Sequence, residues 1–256
     1  MHRSRNLIGY LDEAARIAAE GKRASYAALG IATGMRVLDV GCGTGDDARA
    51  VAEIVGPSGR CVGVDASSAM VDEARRRGGP PHVEFFLAPA DALPFDDASF
   101  DAVRAERVFQ HLRQPDAAAR ESFRVLARGG RVLLLDQDWE TLVVAGAGRA
   151  ATRRILNAFA DRLANGWAGR NQYATLKRAG FGEVAVTPFF VTLPFGAAYA
   201  LLLDEAVEFA KESGAVGGEE ADEWVRELLA AQGRGEFYCA FGLFAAIGRK
   251  PPDGQA

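Results

Sequence analysis

The segment VLDVGCGTG (Val37 to Gly45) sets Gly41, Gly43 and Gly45 between an apolar run and an amphipathic stretch. Glycine lets a chain turn sharply and lets a ligand press against bare backbone. Asp65 closes the next apolar run, about 20 residues further on, where a carboxylate can accept from both hydroxyls of a ribose. Asp46 stands where a dinucleotide site prefers its third glycine, and Asp47 follows it. Two carboxylates at the start of a helix repel a pyrophosphate. The pattern reads as a site for a nucleoside without phosphates, and it argues against a NAD-dependent oxidoreductase.

Elements of fixed order must hold these residues. Strands are expected at Met35 to Val40, Arg60 to Asp65, His82 to Leu87, Phe100 to Glu106 and Gly130 to Asp136, each rich in Val, Leu or Phe. Helices are expected between them at Asp46–Val55, Ser68–Arg77 and Asp116–Ala127. Such alternation predicts βαβ units around a parallel sheet, and continuous apolar runs suit strands covered on both faces. Ser67 is a candidate N-cap, and Gly78-Gly79 and Gly129-Gly130 are helix stops. Beyond Asp136 the pattern predicts helices at Arg149–Leu163, Arg170–Ala179, Ala197–Ser213 and Glu219–Gln232, and strands at Glu183–Leu193 and Glu236–Arg249.

These motifs resemble the class I S-adenosylmethionine-dependent methyltransferases. VLDVGCGTG is similar to that family's first motif and VGVDAS to the end of its second strand. PADALPF (Pro89 to Phe95) is similar to the loop after the third strand, and FDAVRAERVFQHL and RVLARGGRVLLLD to the fourth and fifth strands. The match runs from Met35 to Asp136 in order. Within the family it resembles the branch of quinone-biosynthesis C-methyltransferases and small-molecule methyltransferases of specialised metabolism. One departure is ARGG at Ala127 to Gly130, where the family usually has Pro before Gly-Gly.

The resemblance implies an α/β fold. It is a Rossmann-like seven-stranded, mostly parallel sheet with helices on both faces, an N-terminal helical lid and a helical insertion before the last strand. A single domain over 1–256 is expected: lid 1–34, cofactor core 35–136, acceptor-side half 137–249 with a helical cap 195–233, and a tail 250–256. The implied cofactor is S-adenosylmethionine, with S-adenosylhomocysteine as product. Asp39 would tie down the loop and the methionine ammonium end, and Gly41 and Gly43 would pass under the methionine and ribose. Asp65 would hold the ribose diol, with Ala66 and Met70 against adenine. Asp91 would accept from the adenine amino group, flanked by Ala90 and Ala92. Glu106 and Arg107 would contact the methionyl part.

His111 follows the fourth strand, on the side of an α/β sheet where ligands bind. A histidine there could take a proton from an acceptor near neutral pH, or position it. Asp136 or Asp138 could orient it. That carboxylate pair could also suggest a metal, but no further ligand cluster supports one, and none is expected. Trp139, Tyr10 and Tyr199 are expected at an apolar acceptor site. Arg170, in NGWAGRNQ (Asn165 to Gln172), would hold an anionic acceptor or the 136–138 carboxylates.

Composition narrows the partners. Lys+Arg is 30 against 34 Asp+Glu, a net charge of −4, which disfavours docking on nucleic acid. RNA methylation is further disfavoured by the lack of an aromatic-flanked Asn-Pro motif or a catalytic Cys. Three scattered cysteines exclude a disulfide framework and fit reducing cytoplasm. The N-terminus does not read as a secretory signal, and no apolar run reaches the ~18 residues of a membrane span. The expected partner is a small-molecule acceptor, and the expected state a monomer or homodimer. The expected activity is methyl transfer to a small aromatic or otherwise apolar metabolite, on C, N or O. The alternative is a protein that binds S-adenosylmethionine or its product to steer a cyclisation, or as a sensor.

Overall fold

The computed structural model describes residues 25–252. Tyr10, most of the expected lid and residues 253–256 of the tail lie outside the described residues. The strands are β1 (Arg36–Val40), β2 (Arg60–Asp65), β3 (Val83–Leu87), β4 (Phe100–Glu106), β5 (Leu126–Ala145), β6 (Gly182–Thr192) and β7 (Tyr238–Arg249). The helices are α1 (Asp46–Val55), α2 (Ser68–Arg77), α3 (Pro115–Val125), α4 (Arg149–Asp161), α5 (Ala168–Arg178), α6 (Phe195–Ala198), α7 (Asp204–Glu212) and α8 (Gly218–Gly233). A 3-10 turn, Phe109–His111, follows β4, and a π-turn, Tyr199–Leu203, joins α6 to α7.

The strands form one seven-stranded sheet in the order β3-β2-β1-β4-β5-β7-β6. β1 to β5 run parallel, and β7 is antiparallel to both neighbours. Strand order reverses between β1 and β4, and in an open α/β sheet that switch point is where a crevice forms beyond the strand ends. Side chains alternate between two cores. Val37 and Leu133 pack with α1, α4, α7 and α8, while Leu38, Val40, Val132 and Leu134 pack with α3 and α5. Asp39 and Arg104 are register partners on β1 and β4.

Local chemistry explains the boundaries. Ser67 caps α2, its Oγ accepting from Met70 N at 3.4 Å. Arg124 on α3 donates to the carbonyls of Leu93 (2.9 Å) and Phe95 (2.7 Å), which pins the loop between β3 and β4. Lys250 donates to the carbonyls of Phe123 and Leu126, each at 2.7 Å, closing the end of β7 onto α3.

The expected fifth strand, Gly130 to Asp136, is far too short. β5 runs from Leu126 to Ala145, because β7 pairs with it from Arg131↔Arg249 to Ala145↔Tyr238, across an irregularity between Asp138 and Val143. Asp136, Asp138 and Trp139 therefore lie inside a strand rather than beyond its end. The late helix expected at Ala197–Ser213 begins at Phe195 and is interrupted by the π-turn.

Candidate active site

A cavity of about 520 Å³ opens over the switch point. Loops after β1, β2, β3 and β4 line one half of it, through Gly41 to Thr44, Asp65 to Ser67, Ala88 with Ala90, and Glu106 to Val108. The other half is lined from β5, α4, the π-turn and α7 by Trp139, Phe159, Leu201, Leu202 and Glu205. The 3-10 turn contributes Gln110 and His111 between them.

The glycine loop is held open at close quarters. Gly41 has φ 69°, and a Cβ there would come within 2.3 Å of Val108 Cγ2. A side chain at Gly41 would be both strained and blocked. Asp65 accepts from Gly43 N and from Ser67 N, each at 2.9 Å, one on each carboxylate oxygen. Each oxygen keeps a further acceptor position for a hydroxyl. Met70, Ala66, Ala88 and Ala90 provide apolar wall beside it.

Arg104 lies under this half. It is 1 % exposed, 2.6 Å from Asp39, 2.7 Å from Glu106 and 3.4 Å from Asp47. Its guanidinium also sits 5.3 Å from the centre of the Tyr26 ring. Burial pushes the Asp39 carboxyl up from its ordinary range, and Arg104 only partly opposes this. Asp39 does not line the cavity; it is tied through Arg104 to Glu106, which does. Its Oδ2 is buried without a hydrogen-bond partner. Arg107, also lining, adopts φ 56°, a left-handed conformation uncommon for a residue with a side chain. Its N–H donates to Leu135 O at 2.7 Å.

In the other half, Trp139 packs edge-on to Phe159 at 5.1 Å and beside Phe241 at 5.9 Å. Arg162 lies over the rings of Phe159 (5.1 Å) and Phe209 (5.9 Å) and pairs with Glu205. Burial lowers the His111 pKa below its usual value, and the cations of Arg107 and Arg162 lower it further.

Several expected site residues stand elsewhere. Asp136 and Asp138 make no hydrogen bond to His111. Alternation along β5 turns both toward the α5 face, and other donors occupy them. Asp136 accepts from Phe109 N (3.4 Å), Gln110 N (3.2 Å) and Gln172 Nε2 (3.3 Å), and burial pushes its pKa up to about 7. It caps the 3-10 turn. Asp138 is held by Arg170, whose Nη2 is 2.7 Å from Oδ1. Arg170 thus binds a 136–138 carboxylate, one of its two expected roles, and does not line the cavity. Tyr199 also stays outside it, stacked on Phe195 at 5.7 Å, because the π-turn presents Leu201 and Leu202 instead. Asp91 and Ala92 are exposed and outside the lining, next to Ala90 within it. Among the described residues, no group of three or more His, Cys, Asp or Glu side chains could hold a metal ion.

Gln110, Phe159, Arg162 and Glu205 were not singled out by sequence. Gln110 adjoins His111 in the same segment, which is a signal. Arg162, just past the end of α4, and Glu205, on α7, lie far apart in the chain, and nothing local marks them.

Residues 37–130 match the family described as Methyltransferase domain. A protein from Streptomyces fradiae, described as an uncharacterized 37.1 kDa protein in transposon TN4556, is 34% identical over 96% of this chain and 72% of its own length. The chain belongs to the class I S-adenosylmethionine-dependent methyltransferases. The ubiquinone/menaquinone biosynthesis C-methyltransferase UbiE of Hahella chejuensis is 39% identical over 45% of the chain. That match spans about half of UbiE, 48% of its length. Phosphoethanolamine N-methyltransferase 2 of Haemonchus contortus, in complex with S-adenosyl-L-methionine, shares the fold with a TM-score of 0.58 and 22% identity. It covers 91% of this chain and 52% of that one.

The family's cofactor is S-adenosylmethionine, and the residues present fit it. An apolar wall for a base, a carboxylate with spare acceptor positions for a ribose, and bare glycine backbone follow one another along the cavity. Asp46, Asp47 and Glu106 also line it, which matches a ligand carrying an ammonium and a sulfonium.

Proposed function

We propose that this methyltransferase moves the methyl group of S-adenosylmethionine to a small aromatic or otherwise apolar metabolite seated against Trp139, Phe159, Leu201 and Leu202. The observation that carries this reading is the continuity of one cavity from Asp65 to Trp139. When bound, the cofactor supplies a methyl group already activated by its sulfonium. The protein's part is to bind, align and exclude water. Asp65 would hold the ribose hydroxyls, and Gly41 and Gly43 would let the ligand lie on backbone. Glu106 and Asp47, fixed by Arg104, would face the ammonium end. Arg107 would contact the methionyl part at the junction of the two halves.

The acceptor half supports a small apolar ligand. Trp139 and Phe159 are 5 % and 2 % exposed, so their faces are shielded from bulk water. Arg162 and Glu205 neutralise each other at that end. The test is incubation with S-adenosylmethionine labelled in its methyl group and an extract of small metabolites. Label in an organic-extractable product is the expected outcome. Calorimetric binding with no label transferred would overturn methyl transfer in favour of a cyclisation or sensor role. Asp65→Ala should weaken cofactor binding by about 1–3 kcal/mol, through a buried ribose left without its acceptor. Unchanged affinity would refute the cofactor placement.

A further inference from the structure

The orientation of His111 is set by neighbours whose hydrogen-bonding roles admit one assignment. Trp139 lines the cavity, and its indole N–H can only donate. It donates to Gln110 Oε1 at 2.6 Å. With its oxygen held there, the Gln110 amide must turn its NH2 group the other way. That group lies 3.2 Å from His111 Nε2 and 3.5 Å from the carbonyl oxygen of Arg107, which can only accept. Two independent restraints therefore fix the same amide orientation. The main chain of Gln110 is held as well, by its N–H to Asp136 at 3.2 Å.

An amide N–H directed at Nε2 requires a lone pair there. Nε2 then carries no proton, and the ring's single proton sits on Nδ1. A second proton on the ring would set two N–H groups against each other. It would also add a cation beside Arg107 and Arg162, the charged side chains that bear on this imidazole; Glu205, on α7, is already paired with Arg162.

We propose that His111 meets the methyl acceptor as a neutral hydrogen-bond donor through Nδ1, in a tautomer set by Gln110 and Trp139, and that the acceptor presents a lone-pair oxygen or nitrogen to it. This rests on the reading of the His111 end of the cavity as the acceptor side. The sequence expectation of a general base gives way, because the nitrogen that would receive a proton is occupied by Gln110. His111 aligns the acceptor, and no proton moves to it during methyl transfer. Gln110 and Trp139 are positioning residues that act through His111. Substrates with only hydrocarbon near the reacting atom are disfavoured. Those with a carbonyl, phenol, enol or amine group there are favoured.

The tautomer is directly measurable. In 15N-labelled full-length protein at pH 7.5, the two ring nitrogens of His111 are identified as the signals missing from His111→Gln. The expected result is an N–H-type shift for Nδ1 and a bare-nitrogen shift for Nε2. Gln110→Leu and Trp139→Phe should each move both shifts toward the average of mixed tautomers. A proton on Nε2 in the unaltered protein overturns the proposal, whatever the variants do. So does an unaltered tautomer in a folded Gln110→Leu. The acceptor half is tested with S-adenosylhomocysteine present, by titrating acetophenone against α-methylstyrene, which has the same shape but no oxygen. Acetophenone alone should shift the Nδ1 signal. An equal effect of the two, including none, overturns the substrate assignment. These readouts need no turnover, so they are separate from the labelled-methyl experiment, whose failure would instead remove the acceptor-side reading.

Discussion

Arg104 is a buried guanidinium shared by Asp39, Glu106 and Asp47. Removing one partner of a buried charge cluster costs more than the cluster itself contributes, because uncompensated charge remains. Arg104→Met should therefore destabilise the protein by about 3–5 kcal/mol at neutral pH, read from denaturant unfolding. The pH dependence gives the mechanism. Burial already raises the Asp39 pKa, and without Arg104 to oppose it the folded variant binds more protons than the unfolded chain above pH ~4. Its deficit should shrink as pH falls. A deficit independent of pH would mean lost packing rather than stranded charge. His111 has the opposite sign. Its folded pKa is lowered by burial, Arg107 and Arg162, so the unfolded chain takes up the proton first as pH falls. Its contribution to stability is present above its unfolded pKa of ~6.5 and lost as pH falls from there through its folded value. His111→Gln should flatten that part of the pH–stability curve, and an unchanged slope would count against the assigned environment. At this scale the gathering of Gly41, Asp65 and Met70 around one cavity was legible, since they sit in a fixed order of elements. Arg104 was not singled out in the expected fourth strand, because two of the carboxylates that compensate it, Asp39 and Asp47, come from distant segments.

Elements were readable where apolar periodicity and stop signals agreed. α1 and α2 begin and end where their patterns do, at Asp46, Val55, Ser68 and Arg77. β5 was misread because Asp136, Asp138 and Glu140 give its second half the look of a loop. Only tertiary structure supplies what satisfies them: the 3-10 turn amides, Gln172 and Arg170. The π-turn at Tyr199–Leu203 was invisible for another reason, since YALLL is ordinary helical sequence. A π-turn adds one residue to a helix and often marks a functional site. Here it brings both Leu201 and Leu202 to the cavity. Deleting Leu201 should let the segment continue as a regular α-helix and rotate one leucine away. Helical circular dichroism and cofactor affinity should persist, while acceptor turnover falls on the order of 10²-fold, as expected for a misplacement of about 1 Å. Full turnover in the deletion would remove the π-turn from the acceptor site.

At the scale of the whole molecule, the cavity joins the two sequence halves of the sheet. Its cofactor end comes from the loops after β1 to β4, and its acceptor end from β5, α4 and the helices before β7. A ligand bound across such a junction adds its binding free energy to the stability of the folded state only. At a free concentration 100 times Kd that is about 2.7 kcal/mol. For chains of this size 1 kcal/mol corresponds to roughly 2–4 °C in Tm, so S-adenosylmethionine should raise Tm by roughly 5–11 °C. S-adenosylhomocysteine should act similarly, because it shares the adenosyl and amino-acid groups that the loops would hold. NAD is the informative control. Its pyrophosphate would have to sit by the start of α1, where Asp46 and Asp47 both line the cavity. Like charge at a helix start opposes an anion that the helix would otherwise attract. Millimolar NAD should therefore leave Tm within about 1 °C, a shift worth less than ~0.5 kcal/mol. Asp65→Ala should lose much of the S-adenosylmethionine shift at the same concentration, measured from its own ligand-free Tm, which falls by a few °C because Gly43 N and Ser67 N lose their acceptor. A larger shift with NAD than with S-adenosylmethionine would overturn the cofactor assignment for this cavity, and with it the reading of the acidic pair as a filter against phosphates.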